Sequence, residues 1–120
     1  MSLRRSGRIW RLYSNVRPEI LLLDEPSAFL DLKHQVQIFE LMRRLNRERG
    51  LTIVAALHDL NLAALFFPRL ILLRAGKIYR DGSPKEVLTE KTIEEVYGIS
   101  VRVEPDPSGE KPQLFICPSP

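Results

Sequence analysis

Three residues of this chain have the types and positions that acid–base and phosphate chemistry uses. Asp24 and Glu25 stand side by side in ILLLDEPSAFLD, residues 20–31, and His58 closes LTIVAALH. Adjacent carboxylates repel, and neither is easily buried without a partner. A carboxylate at a strand tip, open to solvent, is a good ligand for Mg2+, which keeps several waters and adds one or two carboxylates and phosphate oxygens. The next residue points the other way, because side chains alternate along a strand. It can face an attacking water as general base. A histidine on the neighbouring strand tip can hydrogen-bond the third phosphate of a nucleotide. Read without chemistry, Asp24 caps a loop, Glu25 is solvated and His58 neighbours a helix cap. The Asp-Glu pair alone is a weak signal. Four aliphatics, then Asp-Glu-Pro-Ser, Leu-Asp and a strand ending in His-Asp are a much stronger one.

These tips need strands to carry them. Ile20–Leu23 is an unbroken aliphatic run, which predicts a strand buried on both faces. Residues 32–49 predict a helix, with Val36, Phe39, Met42 and Leu45 on one stripe, widened by Ile38 and Leu41. Asp31 is its expected N-cap and Gly50 its C-terminal stop. LTIVAAL, 51–57, is a second strand, residues 59–67 a short helix stopped by Pro68, and RLILLR, 69–74, a third strand. AGKIYRDG is expected to turn the chain, with Ala75-Gly76 and Asp81-Gly82 as turn signals. Ser83–Tyr97 reads as two helical pieces. Ser83-Pro84 opens the first, and Thr92 with Glu95 suggests a capping box for the second, ended by Gly98. The runs ISVRVEP and QLFICP predict a hairpin. Strand–helix–strand–helix–strand order implies right-handed crossovers, a parallel sheet and an α/β fold. Ligands on such sheets sit at the carboxyl ends of the strands, where Asp24, Glu25 and His58 fall together.

Composition bounds the possibilities. The 120 residues hold one cysteine, Cys117, so no internal disulfide forms. No apolar run approaches the roughly 20 residues that span a bilayer. The net charge of +3 is an N-terminal feature: Arg4, Arg5, Arg8, Arg11 and Arg17 precede every acid, whereas residues 18–120 hold 13 basic and 15 acidic side chains. A basic arm is a solvated leader, the basic face of a helix, or a contact for nucleic acid or lipid head groups. The chain therefore divides into a basic segment, 1–17, and a body, 18–120.

Residues 18–117 resemble a known family. ILLLDEPSAFLD looks like the Walker B motif and D-loop of ATP-binding-cassette (ABC) ATPases, and IVAALHDLNLAA like their H-loop. GKIYRDGSPKEVLT resembles the segment that follows in that family, and the tail TIEEVYGISVRV…PQLFICP is similar to importers of iron–siderophore, haem and cobalamin. The resemblance implies a P-loop NTPase (RecA-like) core with a mostly parallel sheet and a C-terminal antiparallel hairpin. It implies that Asp24 binds Mg2+ through water, that Glu25 polarises the hydrolytic water and that His58 contacts the γ-phosphate. Ser27 to Asp31 would form the loop that communicates across an ATPase dimer. It also implies ATP and Mg2+ as cofactors, a transporter membrane subunit and a second ATPase subunit as partners, and a cytoplasmic site at the inner membrane.

Some parts of that family are not in these residues. No G-x-x-x-x-G-K-[ST] string occurs, and the glutamine loop, helical subdomain and signature motif are also absent. The chain is thus expected to be the C-terminal half of a cassette, inactive alone because phosphate-cradling amides are missing. A competing expectation is a non-catalytic module that pairs with a partner chain or a second copy. A weaker one is a basic nucleic-acid-binding fragment, resting on the N-terminal arginines with Trp10 and Tyr13.

Overall fold

A computed structural model of the chain describes residues 19–120. The basic segment 1–17, with Trp10 and Tyr13, lies outside the described residues. The structure divides into two compact units between His58 and Asp59.

In the first unit the aliphatic run forms β1, Ile20–Asp24, which pairs in parallel with β2, Thr52–Ala56. The register sets Leu21 opposite Ile53 and Asp24 opposite Ala56. Helix α1, Leu32–Arg49, makes the crossover between them. Asp31 caps it as expected, accepting from the His34 backbone N–H. Gly50 stops it in the left-handed conformation, φ 68°, with its N–H on the Asn46 carbonyl, a geometry that a Cβ would penalise. The apolar stripe of α1 buries Ile38, Phe39, Met42 and Leu45, and Leu21, Leu30 and Leu51 are buried as well.

Burial along β1 corrects the expectation of a strand covered on both faces. Leu21 is buried, but Leu22 is 73% exposed, and Ile20 and Val54 are also open. An unbroken aliphatic run cannot by itself distinguish one covered face from two, because the pleat sends alternate residues to opposite sides.

In the second unit α2, Leu60–Phe66, starts at Asp59, whose side chain accepts from the Leu62 N–H, and ends before Pro68. Strand β3, Leu70–Arg74, pairs antiparallel with β4, Lys77–Gly82. This corrects one expectation: residues 75–82, expected to turn the chain, turn only at their start and continue as β4. Only Ala75-Gly76 turns: both have positive φ, 50° and 75°, as the two-residue hairpin turn that matches strand twist requires. Asp81 lies in β4 and pairs with Arg69 at 2.7 Å. Helix α3, Pro84–Val87, carries a full capping box between Ser83 and Glu86. Helix α4, Glu90–Tyr97, is capped by Thr89 and not by Thr92, which is buried at the third helical position. The expected hairpin is β5, Val101–Pro105, against β6, Pro112–Ile116. Ala64, Leu72, Val87, Leu88, Ile93 and Val101 form this unit's core. The described sheets are thus one parallel pair and two antiparallel pairs.

Candidate active site

The parallel pairing of β1 and β2 places both strand ends at one edge. Asp24 is the last residue of β1 and is exposed. Glu25 extends the ladder by one bond, its N–H donating to the Ala56 carbonyl at 2.9 Å. The chain then leaves the strand sharply, for Glu25 has φ +45°. A non-glycine residue rarely adopts this region, and such strain concentrates at functional sites. The Glu25 side chain is 24% exposed, and its Oε1 is shut off from solvent. Adjacent in sequence, the two carboxylates thus occupy different environments.

His58 lies two residues beyond the end of β2. Its Nε2 is 3.6 Å from Glu25 Oε1, and its side chain is 93% exposed. That separation exceeds a hydrogen bond but lies within ion-pair reach. The arrangement offers a shielded carboxylate able to accept a proton, beside an imidazole open to a ligand.

Ser27 and Asp31 sit on the loop that joins this edge to α1. Ser27 is buried, and its carbonyl accepts from the Leu30 N–H at 3.2 Å and lies 3.5 Å from Gln35 Nε2. Asp31 Oδ1 accepts from the His34 N–H at 3.0 Å and contacts His34 Nδ1 at 2.6 Å. These bonds hold the Asp31 carboxyl below the usual carboxylate range, the backbone bond most, then the ring. The structure therefore brings Glu25 and His58 side by side, leaves Asp24 exposed at the strand tip, and ties Ser27 and Asp31 to the first turn of α1. Sequence reasoning does not single out His34 or Gln35. The available signal is position: His34 occupies the third helical place after the Asp31 cap, where capping partners sit.

Among the described residues no group of three or more His, Cys, Asp or Glu side chains is placed to hold a metal ion. A single exposed carboxylate such as Asp24 still fits Mg2+, which accepts few protein ligands when waters and phosphate oxygens complete its shell. A nucleotide triphosphate fits less well. The sequence holds no G-x-x-x-x-G-K-[ST] loop to cradle its phosphates.

A helix crossing between two parallel strands is an α/β arrangement, and solved structures share the fold. A metal-chelate-type ABC transporter in an inward-facing conformation superposes with a TM-score of 0.83 over 97% of this chain and 47% of its own, at 19% identity, which shows the fold alone. The ATP-binding cassette MJ0796, in a dimeric post-hydrolysis state with ADP and phosphate, gives 0.60 over 68% of this chain and 34% of its own, at 35% identity. Among curated proteins, the ferric enterobactin transport ATP-binding protein FepC of Escherichia coli is 47% identical over 93 residues, 78% of this chain and 34% of its own. The hemin import ATP-binding protein HmuV of Rhodopseudomonas palustris is 42% identical over 111 residues, 92% and 40% respectively. No family model matches the chain. On these likenesses the chain has part of the ABC ATPase fold and is similar to the ATP-binding proteins of siderophore and haem importers. It spans about a third of the length of the curated relatives it matches. No helix among the described residues is long and apolar enough to cross a membrane.

Proposed function

We propose that this chain carries the water-activating edge of an ABC importer ATPase and hydrolyses ATP only when a further polypeptide segment supplies the phosphate-binding loop. The observation that carries this reading is the Glu25–His58 pair, 3.6 Å apart at the carboxyl ends of two parallel strands. Glu25 takes the proton of the attacking water as general base. His58, exposed beside it, donates a hydrogen bond to the γ-phosphate. Asp24 would hold Mg2+ through water, and the ion would supply positive charge to offset that on the phosphate oxygens. The Ser27–Asp31 loop relays the state of one ATPase subunit to another. The names of the relatives support an iron chelate or haem as cargo; cobalamin rests on the resemblance of the tail alone. Work with a membrane subunit at the cytoplasmic face of the inner membrane belongs to the same reading and rests on the family resemblance. The test is calorimetry with Mg·ATP and a hydrolysis assay, with and without the P-loop half of such a cassette. We expect no micromolar binding by the chain alone and hydrolysis on mixing. Micromolar affinity of the chain alone, or no hydrolysis on mixing, contradicts the reading.

A second reading rests on a different observation. Ile20, Leu22 and Val54 stand exposed along the β1–β2 sheet, and exposed apolar patches mark association surfaces. On that reading the chain is a non-catalytic module that self-associates or pairs with a partner chain. Sedimentation equilibrium at tens of micromolar protein separates self-association from a concentration-independent monomer.

A further inference from the structure

The loop between Glu25 and Asp31 is built from two successive turns. The Ala28 N–H donates to the Glu25 carbonyl at 3.0 Å, and the Leu30 N–H to the Ser27 carbonyl at 3.2 Å. Two of its residues, Glu25 at φ +45° and Phe29 at φ +63°, hold a backbone conformation that non-glycine residues avoid. Such a loop persists only where its surroundings over-determine it. Its first end is fixed by the ladder bond from the Glu25 N–H to the Ala56 carbonyl. Its far end is fixed at Asp31.

Asp31 is anchored in an unusual way. A capping box places Glu or Gln at the third helical position, reaching back to the cap's backbone N–H. Here that position is His34, and both its backbone N–H and its ring Nδ1 converge on Asp31 Oδ1, at 3.0 and 2.6 Å. The backbone bond already satisfies the helix. The ring bond adds nothing to the helix's own donors, so its effect falls on the carboxylate and the loop behind it. The Asp31 side chain is well exposed and the ring mostly covered, so the packed partner holds the mobile one.

We propose that His34 is a positioning residue: its Nδ1–H on Asp31 Oδ1 pins the far end of the strained loop and so holds the backbone from which Glu25 meets His58. This rests on the reading of Glu25 as general base. A short contact to an ionised carboxylate requires the proton on Nδ1, so neutral His34 is the Nδ1–H tautomer.

Three readouts on the full chain test this. Ring 15N spectra at alkaline pH should show His34 as the Nδ1–H tautomer; the Nε2–H form would overturn the proposal. In His34→Ala the amides of Ala28 and Leu30 should exchange roughly five- to tenfold faster, the loss of about one hydrogen bond. Exchange at Phe39 and Met42 should not change. His34→Asn places an amide donor where Nδ1 stood and should restore protection. Unchanged loop exchange in His34→Ala, or acceleration throughout α1 that Asn does not rescue, would overturn it. With the P-loop half added, His34→Ala should lower kcat severalfold with KM for ATP unchanged, again rescued by Asn. A raised KM at unchanged kcat would count against a positioning role. If the wild-type mixture fails to hydrolyse ATP, the proposed function falls, while the tautomer and exchange results still decide what His34 holds.

Discussion

Replacing Glu25 by glycine and by alanine separates the backbone at this position from its side chain. Both variants remove the carboxylate and every contact it makes, so their difference reports the backbone: strain at φ in the folded state against chain entropy in the unfolded one. At φ +45° an alanine Cβ crowds the backbone, at a cost of about 1–2 kcal/mol. Glycine escapes that cost but gives up about 0.5–1 kcal/mol of unfolded-state entropy. The balance leaves Glu25→Gly more stable than Glu25→Ala by about 0.7 kcal/mol. At the exposed Glu40, inside α1, the same pair should invert, with glycine about 1 kcal/mol worse than alanine. Urea unfolding followed by circular dichroism, with all four variants of the full chain at one pH, measures both differences. Equal stability of the two Glu25 variants, or an advantage for alanine, would refute the claim that strain is stored at the strand exit. Inversion between the two sites would show that the sequence accepts a conformational cost at Glu25 that it does not accept in the helix.

Three further outcomes follow from the packing and the charges. Phe39 is 1% exposed within the α1 core, so Phe39→Ala should cost about 3–5 kcal/mol in the same urea assay, as cavity formation does. Asn61 accepts from the Leu114 N–H at 2.8 Å and donates to the Leu114 carbonyl at 3.2 Å; Asn61→Ala should speed exchange of the Leu114 amide about tenfold. Hydrogen bonds to Asp31, Asp81, Glu86 and Asp106 hold their carboxyl groups below the usual range. Their contribution is present above the unfolded value of about 4 and lost as pH falls through the lowered folded values. Thermal melts should therefore be flat from about pH 7 to about 5 and decline below about 4. A profile that stays flat down to about pH 2 would contradict it.

The sequence made some of this legible for definite physical reasons. Helix α1 carried a carboxylate cap at Asp31, a stripe at helical spacing and a glycine at position 50, three local signals that agree. The proximity of Glu25 and His58 was readable because a helix between two aliphatic runs forces them parallel, and parallel strands share an edge. Other features depended on context that no local pattern holds. Pro26 biases the residue before it toward extended backbone, the opposite of the left-handed Glu25 observed. Asp81-Gly82 has turn chemistry but is held in β4, where Asp81 meets Arg69. Thr92 stands three residues before Glu95, as a capping box does, yet the helix starts earlier, with Thr89 as its cap and Thr92 buried in its first turn. The open face of β1 was hidden because Leu21 and Leu22 are the same residue in different surroundings.

Hydrolysis by Glu25→Gln tests the central claim most directly. Glutamine keeps the shape of the side chain and removes the carboxylate that accepts the proton. The measurement is steady-state ATP turnover by the chain mixed with the P-loop half, beside nucleotide affinity for the same mixture. The account predicts that turnover falls about 100-fold or more while affinity for Mg·ATP stays within a few-fold of wild type. Turnover near the wild-type rate in the Glu25→Gln mixture would contradict it.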